Sequence, residues 1–226
     1  HKIVAAEAVT TWNLTGNGTG NLSFTDSSAT TRSISFNNVK NINGSEALDI
    51  FRFSQGANFE AINGDGGNDL ADFSGYLADI TLSYNGNRVR SIVSNDLKVE
   101  RILGHEAYTT LATDNNTSQW IINNATDFTE TSINAPSTLL NSGTLGSLKF
   151  TNIAAIRGGA GVDTFTFYSD FYGNVYGEGG ADNFHIRTNV SGDVDAGEGN
   201  DTFYFYNNGV LSGASTGGTG NNIANF

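Results

Sequence analysis

Three aspartates, Asp163, Asp182 and Asp201, recur at a spacing of 19 residues, each behind a glycine-rich stretch. Residues 158–165 read Gly-Gly-Ala-Gly-Val-Asp-Thr-Phe, residues 177–184 Gly-Glu-Gly-Gly-Ala-Asp-Asn-Phe and residues 196–203 Ala-Gly-Glu-Gly-Asn-Asp-Thr-Phe. A fourth copy, 217–222, carries Asn222 where the others carry aspartate. Carboxylates and backbone carbonyls are the oxygen donors that calcium takes, six to eight at a time. Glycine reaches positive φ without steric cost, so successive turns can bring their carbonyls toward one ion. Stacked at the spacing of neighbouring strands, the three carboxylates would stand about 5 Å apart. That is close enough to bridge through an ion and too close to leave as bare charges in a dry stack. Between residues 158 and 201 there are eight acids and one base, Arg187, so a cation there would relieve repulsion. The expected calcium ligands are therefore Asp163, Asp182 and Asp201, in turns shaped by Gly159, Gly161, Gly180 and Gly199. Asp49 and Asp69 form a less complete version, since residues 44–49 hold a single glycine. The competing expectation is an Asx turn, in which each aspartate binds its own nearby amides.

Other candidate chemistry is thinner. Asp193 and Asp195 flank Val194 on a strand and face outward together, as a solvated face, two surface-cation ligands or a carboxylate pair. His185 stands alone on an outward face. Tyr168, Tyr172, Tyr176, Tyr204, Tyr206 and Phe171 lie off the apolar columns or in turns, as aromatic ladders or as a platform for sugar rings. Cysteine is absent, which excludes thiol nucleophiles, disulfides and cysteine zinc sites. The net charge of −12 argues against nucleic acid and anionic membranes. No apolar run is long enough to span a bilayer as a helix. Seven arginines and four lysines are scattered, with Arg88 and Arg90 the nearest approach to a cluster. An enzyme on acidic polysaccharide, a lyase or epimerase, needs more basic residues than that, and the expectation is no enzyme.

These residues require elements that stack. Phe165, Phe184 and Phe203 form one column, Phe167, Ile186 and Phe205 a second, Val175 and Val194 a third, while Thr166, His185 and Tyr204 fall on the opposite face of the pleat. Each repeat thus predicts a strand, a turn, a shorter strand and a second turn, one rung of a solenoid. A longer repeat overlies this one: residues 36–44 match 150–158 at an offset of 114, with Asp49, Phe51 and Phe53 matching Asp163, Phe165 and Phe167. A diverged copy begins at Val99 and has Thr109 at the aspartate position. Trp12 and Trp120 open two units, 10–117 and 118–226. The chain is expected to be one continuous all-β, parallel solenoid over 1–226, about 19–20 residues per rung and roughly ten rungs, right-handed as parallel crossovers are. Residues 45–49 are too short for a helix. A loop is expected over 123–137, around Pro136.

The motif at 158–165 resembles the calcium-binding repeat of RTX proteins, which implies calcium between adjacent glycine-rich turns, although here the motif occurs on one edge only. The wider unit, with Asn-Ile/Val-x-x-Ile-x-Gly followed by Asp-x-Phe-x-Phe, resembles repeat units of very large bacterial adhesins and haemagglutinin-like surface proteins. That resemblance covers roughly 10–75 and 118–226. It implies a structural and adhesive segment of a longer, secreted parent chain at the bacterial surface, meeting a cell-surface or matrix glycan or protein. A glycan-binding module is the alternative.

Overall fold

The computed structural model describes residues 1–5, 8–123, 128 and 140–226. The loop expected over 123–137 lies outside them, Asn123 and Phe128 apart. Among the described residues there is no helix. The chain alternates between two long sheets, one of 11 strands and one of 13, and most neighbouring pairs run parallel. The alternation of apolar and polar residues accounts for this local structure. In Thr164–Phe167, Asn183–Ile186 and Thr202–Phe205, every second residue is apolar and turned inward.

The register aligns equivalent positions. Phe165 pairs with Phe184 and Phe184 with Phe203, Val175 with Val194, and Thr166 with His185 and His185 with Tyr204. The rings of the first column stack at 5.0 and 4.7 Å between centroids. Fully burying such a ring contributes about 1.5–3 kcal/mol, and stacking adds to that. Trp12 and Trp120 head equivalent clusters. Trp12 stacks on Phe51 at 6.0 Å and meets Phe36 edge-on, while Trp120 stacks on Phe165 at 5.9 Å and meets Phe150 edge-on.

Three departures from a purely parallel stack were not expected. Three antiparallel meanders interrupt the ladder. Thr10–Gly16, Thr19–Thr25 and Thr31–Phe36 form the first, at one end of the larger sheet. Ile80–Tyr84, Val89–Arg90 and Leu97–Lys98 form the second, inside the smaller sheet. Gln119–Ile122, Gly143–Leu145 and Leu148–Thr151 form the third, inside the larger sheet. In each, the middle strand alone runs backwards. Gly20 and Gly143 let these meanders close. A Cβ on either would lie 2.3 Å from the carbonyl oxygen of the neighbouring strand, Asn13 or Ile121.

The C-terminal repeats also have a short third side, where Asn189–Val190 pairs with Val210–Leu211 and Phe171 bridges to Val190. Phe171, expected off the columns, is fully buried and packs on Phe167.

Candidate functional site

Each repeat's aspartate stands at or just before the start of a strand of the larger sheet, where the glycine-rich turn delivers the chain into the ladder. Asp49, Asp69, Asp163, Asp182 and Asp201 are all fully buried. Their Oδ1 atoms connect repeats. The Asp163 amide donates to Asp182 Oδ1 at 2.8 Å, the Asp182 amide to Asp201 Oδ1 at 2.9 Å, and the Asp201 amide to Asn222 Oδ1 at 2.8 Å. The Asp49 amide donates to Asp69 Oδ1 at 2.8 Å, and Glu100 closes that series by accepting from the Asp69 amide at 2.9 Å. The carboxyls therefore reach back one repeat, which differs from an Asx turn onto their own amides. At the head of each series the acceptor serves other donors. Ser118 donates its amide and hydroxyl to Asp163 Oδ1, and Thr10 and Trp12 donate to Asp49 Oδ1. In the diverged copy the expected position fails: buried Thr109 accepts from the His105 amide at 2.9 Å but opens Thr109–Thr113, a strand of the smaller sheet, and it is Glu100, just before Arg101–Leu103, that stands in register with Asp69 in the larger sheet.

The second oxygens differ. Asp49 Oδ2 accepts from the Ser45 amide at 2.7 Å. Oδ2 of Asp69, Asp163, Asp182 and Asp201 is buried without a partner. Three of these oxygens lie over a glycine. A Cβ on Gly64, Gly158 or Gly177 would sit 2.0, 2.4 or 2.5 Å from the Oδ2 of Asp69, Asp163 or Asp182. Asn222 shows what the position favours, because its Nδ2 lies over Gly217 and donates to the Gly217 carbonyl at 2.6 Å. An ionised carboxylate has no hydrogen to offer there, whereas a protonated one does. Burial acts in the same direction, pushing Asp163 up to about 6 and Asp69 and Asp182 up to about 7, and raising Asp49 and Asp201.

The donor set fits calcium poorly. Each aspartate of the C-terminal series has one oxygen committed to the strand or repeat before it and one enclosed without a partner. Among the described residues no three His, Cys, Asp or Glu side chains gather closely enough to hold a metal ion. The turn glycines are accounted for by stacking. Gly159, Gly180 and Gly199 have positive φ, and a Cβ on Gly180 or Gly199 would lie 2.0 or 1.5 Å from the carbonyl oxygen of Gly161 or Gly180. Gly161 is pinned against the backbone of Asn116 and Thr117. The Gly159 carbonyl accepts from the Gly179 amide, so this acceptor also joins repeats.

Asp193 and Asp195 stay on the surface of the smaller sheet. Each holds a backbone amide, that of Ala214 or Gly197. His185, Tyr204 and Tyr206 gather on the outer face of the larger sheet, while Tyr176 lies on the smaller sheet under the Arg157 guanidinium. His185 stacks on Tyr204 at 4.7 Å and its Nδ1 lies 2.9 Å from the Tyr206 hydroxyl. The roles of Glu100, Ser118 and Arg101 were missed in the sequence. Arg101 is fully buried, donates to the Asn68 carbonyl and lies over the Phe128 ring at 5.8 Å. A groove of about 350 Å³ opens between Tyr84, Asp114, Asn116, Gln119 and Leu145.

Comparison with protein-family models, with curated proteins and with solved structures gave no match. The class the structure defines is a repetitive all-β protein with two long, mostly parallel sheets and a buried file of carboxyl groups along one edge.

Proposed function

We propose that the chain is a right-handed parallel β-solenoid segment that serves as a structural and adhesive part of a large, secreted bacterial surface protein, with no catalytic step. The observation that supports it most is the repetition itself. Equivalent side chains fill equivalent positions from Trp12 to Phe203, and the chain's acids join one repeat to the next. A carboxyl pair for general acid and base work needs access to a substrate, and the aspartates that stand nearest one another here are enclosed. Sheets of 11 and 13 strands at the inter-strand spacing give a stiff body about 50–60 Å long, a shape suited to holding other modules away from a cell. Small-angle scattering of the purified chain tests the shape, and a compact sphere would overturn it. Incubation with polygalacturonate and alginate tests the chemistry. The expected result is no new reducing ends and no unsaturated product, and either one would replace this reading with an enzyme.

A further inference from the structure

Outside the carboxyl file, one cluster stands out on the C-terminal repeats. Arg187 is the only basic residue after Arg157, in a stretch with eight acids. Among the described residues its guanidinium forms no ion pair, and its Nε is buried without a hydrogen-bond partner. Asp170, in the preceding repeat, is bound instead to the Thr188 hydroxyl and the Asn189 amide. Instead the guanidinium lies between two rings of the flanking repeats, 3.7 Å from the Tyr206 centroid and 5.3 Å from that of Tyr168. With its faces against the rings, it has only its in-plane N–H edge left for hydrogen bonding. That planar edge matches two oxygens of one carboxylate.

The surroundings narrow the ligand further. Tyr168 is 60% exposed, so the side of its ring turned away from the guanidinium stands open. An open aromatic face packs against the C–H face of a sugar ring. His185, on the same outer face, is held below its ordinary pKa by burial and by the charge of Arg187. It is therefore neutral at pH 7, and Arg187 alone carries positive charge there. One positive charge among eight acids repels a dense polyanion and accommodates a single carboxylate.

We propose that Tyr168, Arg187 and Tyr206 form a binding platform for a sugar residue that carries one carboxylate, of the uronic or sialic acid kind, within an otherwise sparsely charged glycan. The site lies on the outer face of the larger sheet and stands whether or not the chain serves as a scaffold.

Calorimetric titration of the full chain tests it, with sialyllactose and a glucuronate-containing oligosaccharide as probes and lactose as the neutral control. The acidic sugars bind and lactose does not. Arg187→Gln removes the charge-assisted pair and weakens acidic-sugar binding about tenfold or more. Tyr168→Ala, at an exposed position, also weakens it, and circular dichroism confirms an intact sheet signal. Should Arg187→Gln fail to fold, the wild-type comparison of acidic with neutral sugar and the Tyr168 variant carry the test. Equal binding of acidic and neutral sugars, no binding of either, or full binding by a folded Arg187→Gln chain would overturn the proposal. A lowered melting point in that variant, with no wild-type binding, would mark the cluster as a stacking device only.

Discussion

At the scale of the residue, the buried carboxyls determine how the stack responds to pH. Their pKa values in the folded chain lie above the ordinary aspartate value near 3.8, at about 6 for Asp163 and about 7 for Asp182 and Asp69. The native state then binds protons more tightly than the unfolded chain. Their favourable contribution is complete below about pH 4 and is lost as pH rises through 6 and 7. Urea midpoints are expected to be higher at pH 5 than at pH 8. The difference is on the order of a few kcal/mol for the whole file, since a tenfold gain in proton affinity on folding corresponds to about 1.4 kcal/mol. Surface pairs such as Asp26 with Arg32 and Lys40 with Glu60 act in the opposite sense, and weakly. Asp182→Asn should repeat what Asn222 already does, keeping the Oδ1 acceptor and placing an N–H donor over Gly177. Its stability at pH 8 is expected to match or exceed that of the wild type. Calcium and chelator should leave the wild-type melting point in place, with metal content checked by elemental analysis. A calcium-dependent rise that Asp182→Asn abolishes would show the file to be a metal site. The 19-residue spacing of these aspartates was legible in the sequence, and their inward direction was not. Each stands at the very start of its strand or just before it, so the alternation of the pleat does not fix its side. The clue available was Asn222, an uncharged residue at the same position.

At the scale of the element, the apolar columns and the glycine-rich turns carry the stability. Phe184→Ala removes a ring held between two others and is expected to cost about 3–5 kcal/mol, whereas Thr166→Ala on the outer face should cost under about 1 kcal/mol. Similar losses for the two in a denaturant titration would mean that the ring is not sandwiched as described. Gly199 has φ of 136° and no room for a Cβ against the Gly180 carbonyl. Gly199→Ala therefore combines backbone strain with a clash and should cost about 3 kcal/mol or more, read from the same titration. The strands, their period and most of the core were legible, because alternation and a fixed repeat leave direct marks on sequence. The meanders were not, because a reversed strand such as Thr19–Thr25 alternates like any other. Direction is set by which backbone lies beside it. Phe171 was missed because the sequence pattern showed two sides to a repeat and the chain uses three.

At the scale of the whole molecule, stability in such a stack is close to a sum over neighbouring repeats. The final repeats have the least to pack against, with Ile223 54% and Phe226 98% exposed, while Trp12 and Trp120 are fully buried. Amide hydrogen exchange should accordingly be fastest from Val210 onward and slowest around Phe51 and Phe165. Uniform protection along the chain would mean that the molecule opens as one unit.

The meanders also imply a parity rule. Each inserts two strands beyond the single one a repeat contributes, and an even number returns the chain to its original heading. One extra strand would send it back the wrong way and break the parallel ladder. The two inner meanders moreover fall one in each sheet, so their added widths cancel. The sheets stay commensurate, apart from the pair Thr19–Thr25 and Thr31–Phe36 that overhangs one end. Excising the strands of one inner meander alone would leave the two walls of the molecule unequal by two strand widths, about 10 Å. Excising both would restore the match, so these two insertions, far apart in sequence, are bound to each other by geometry.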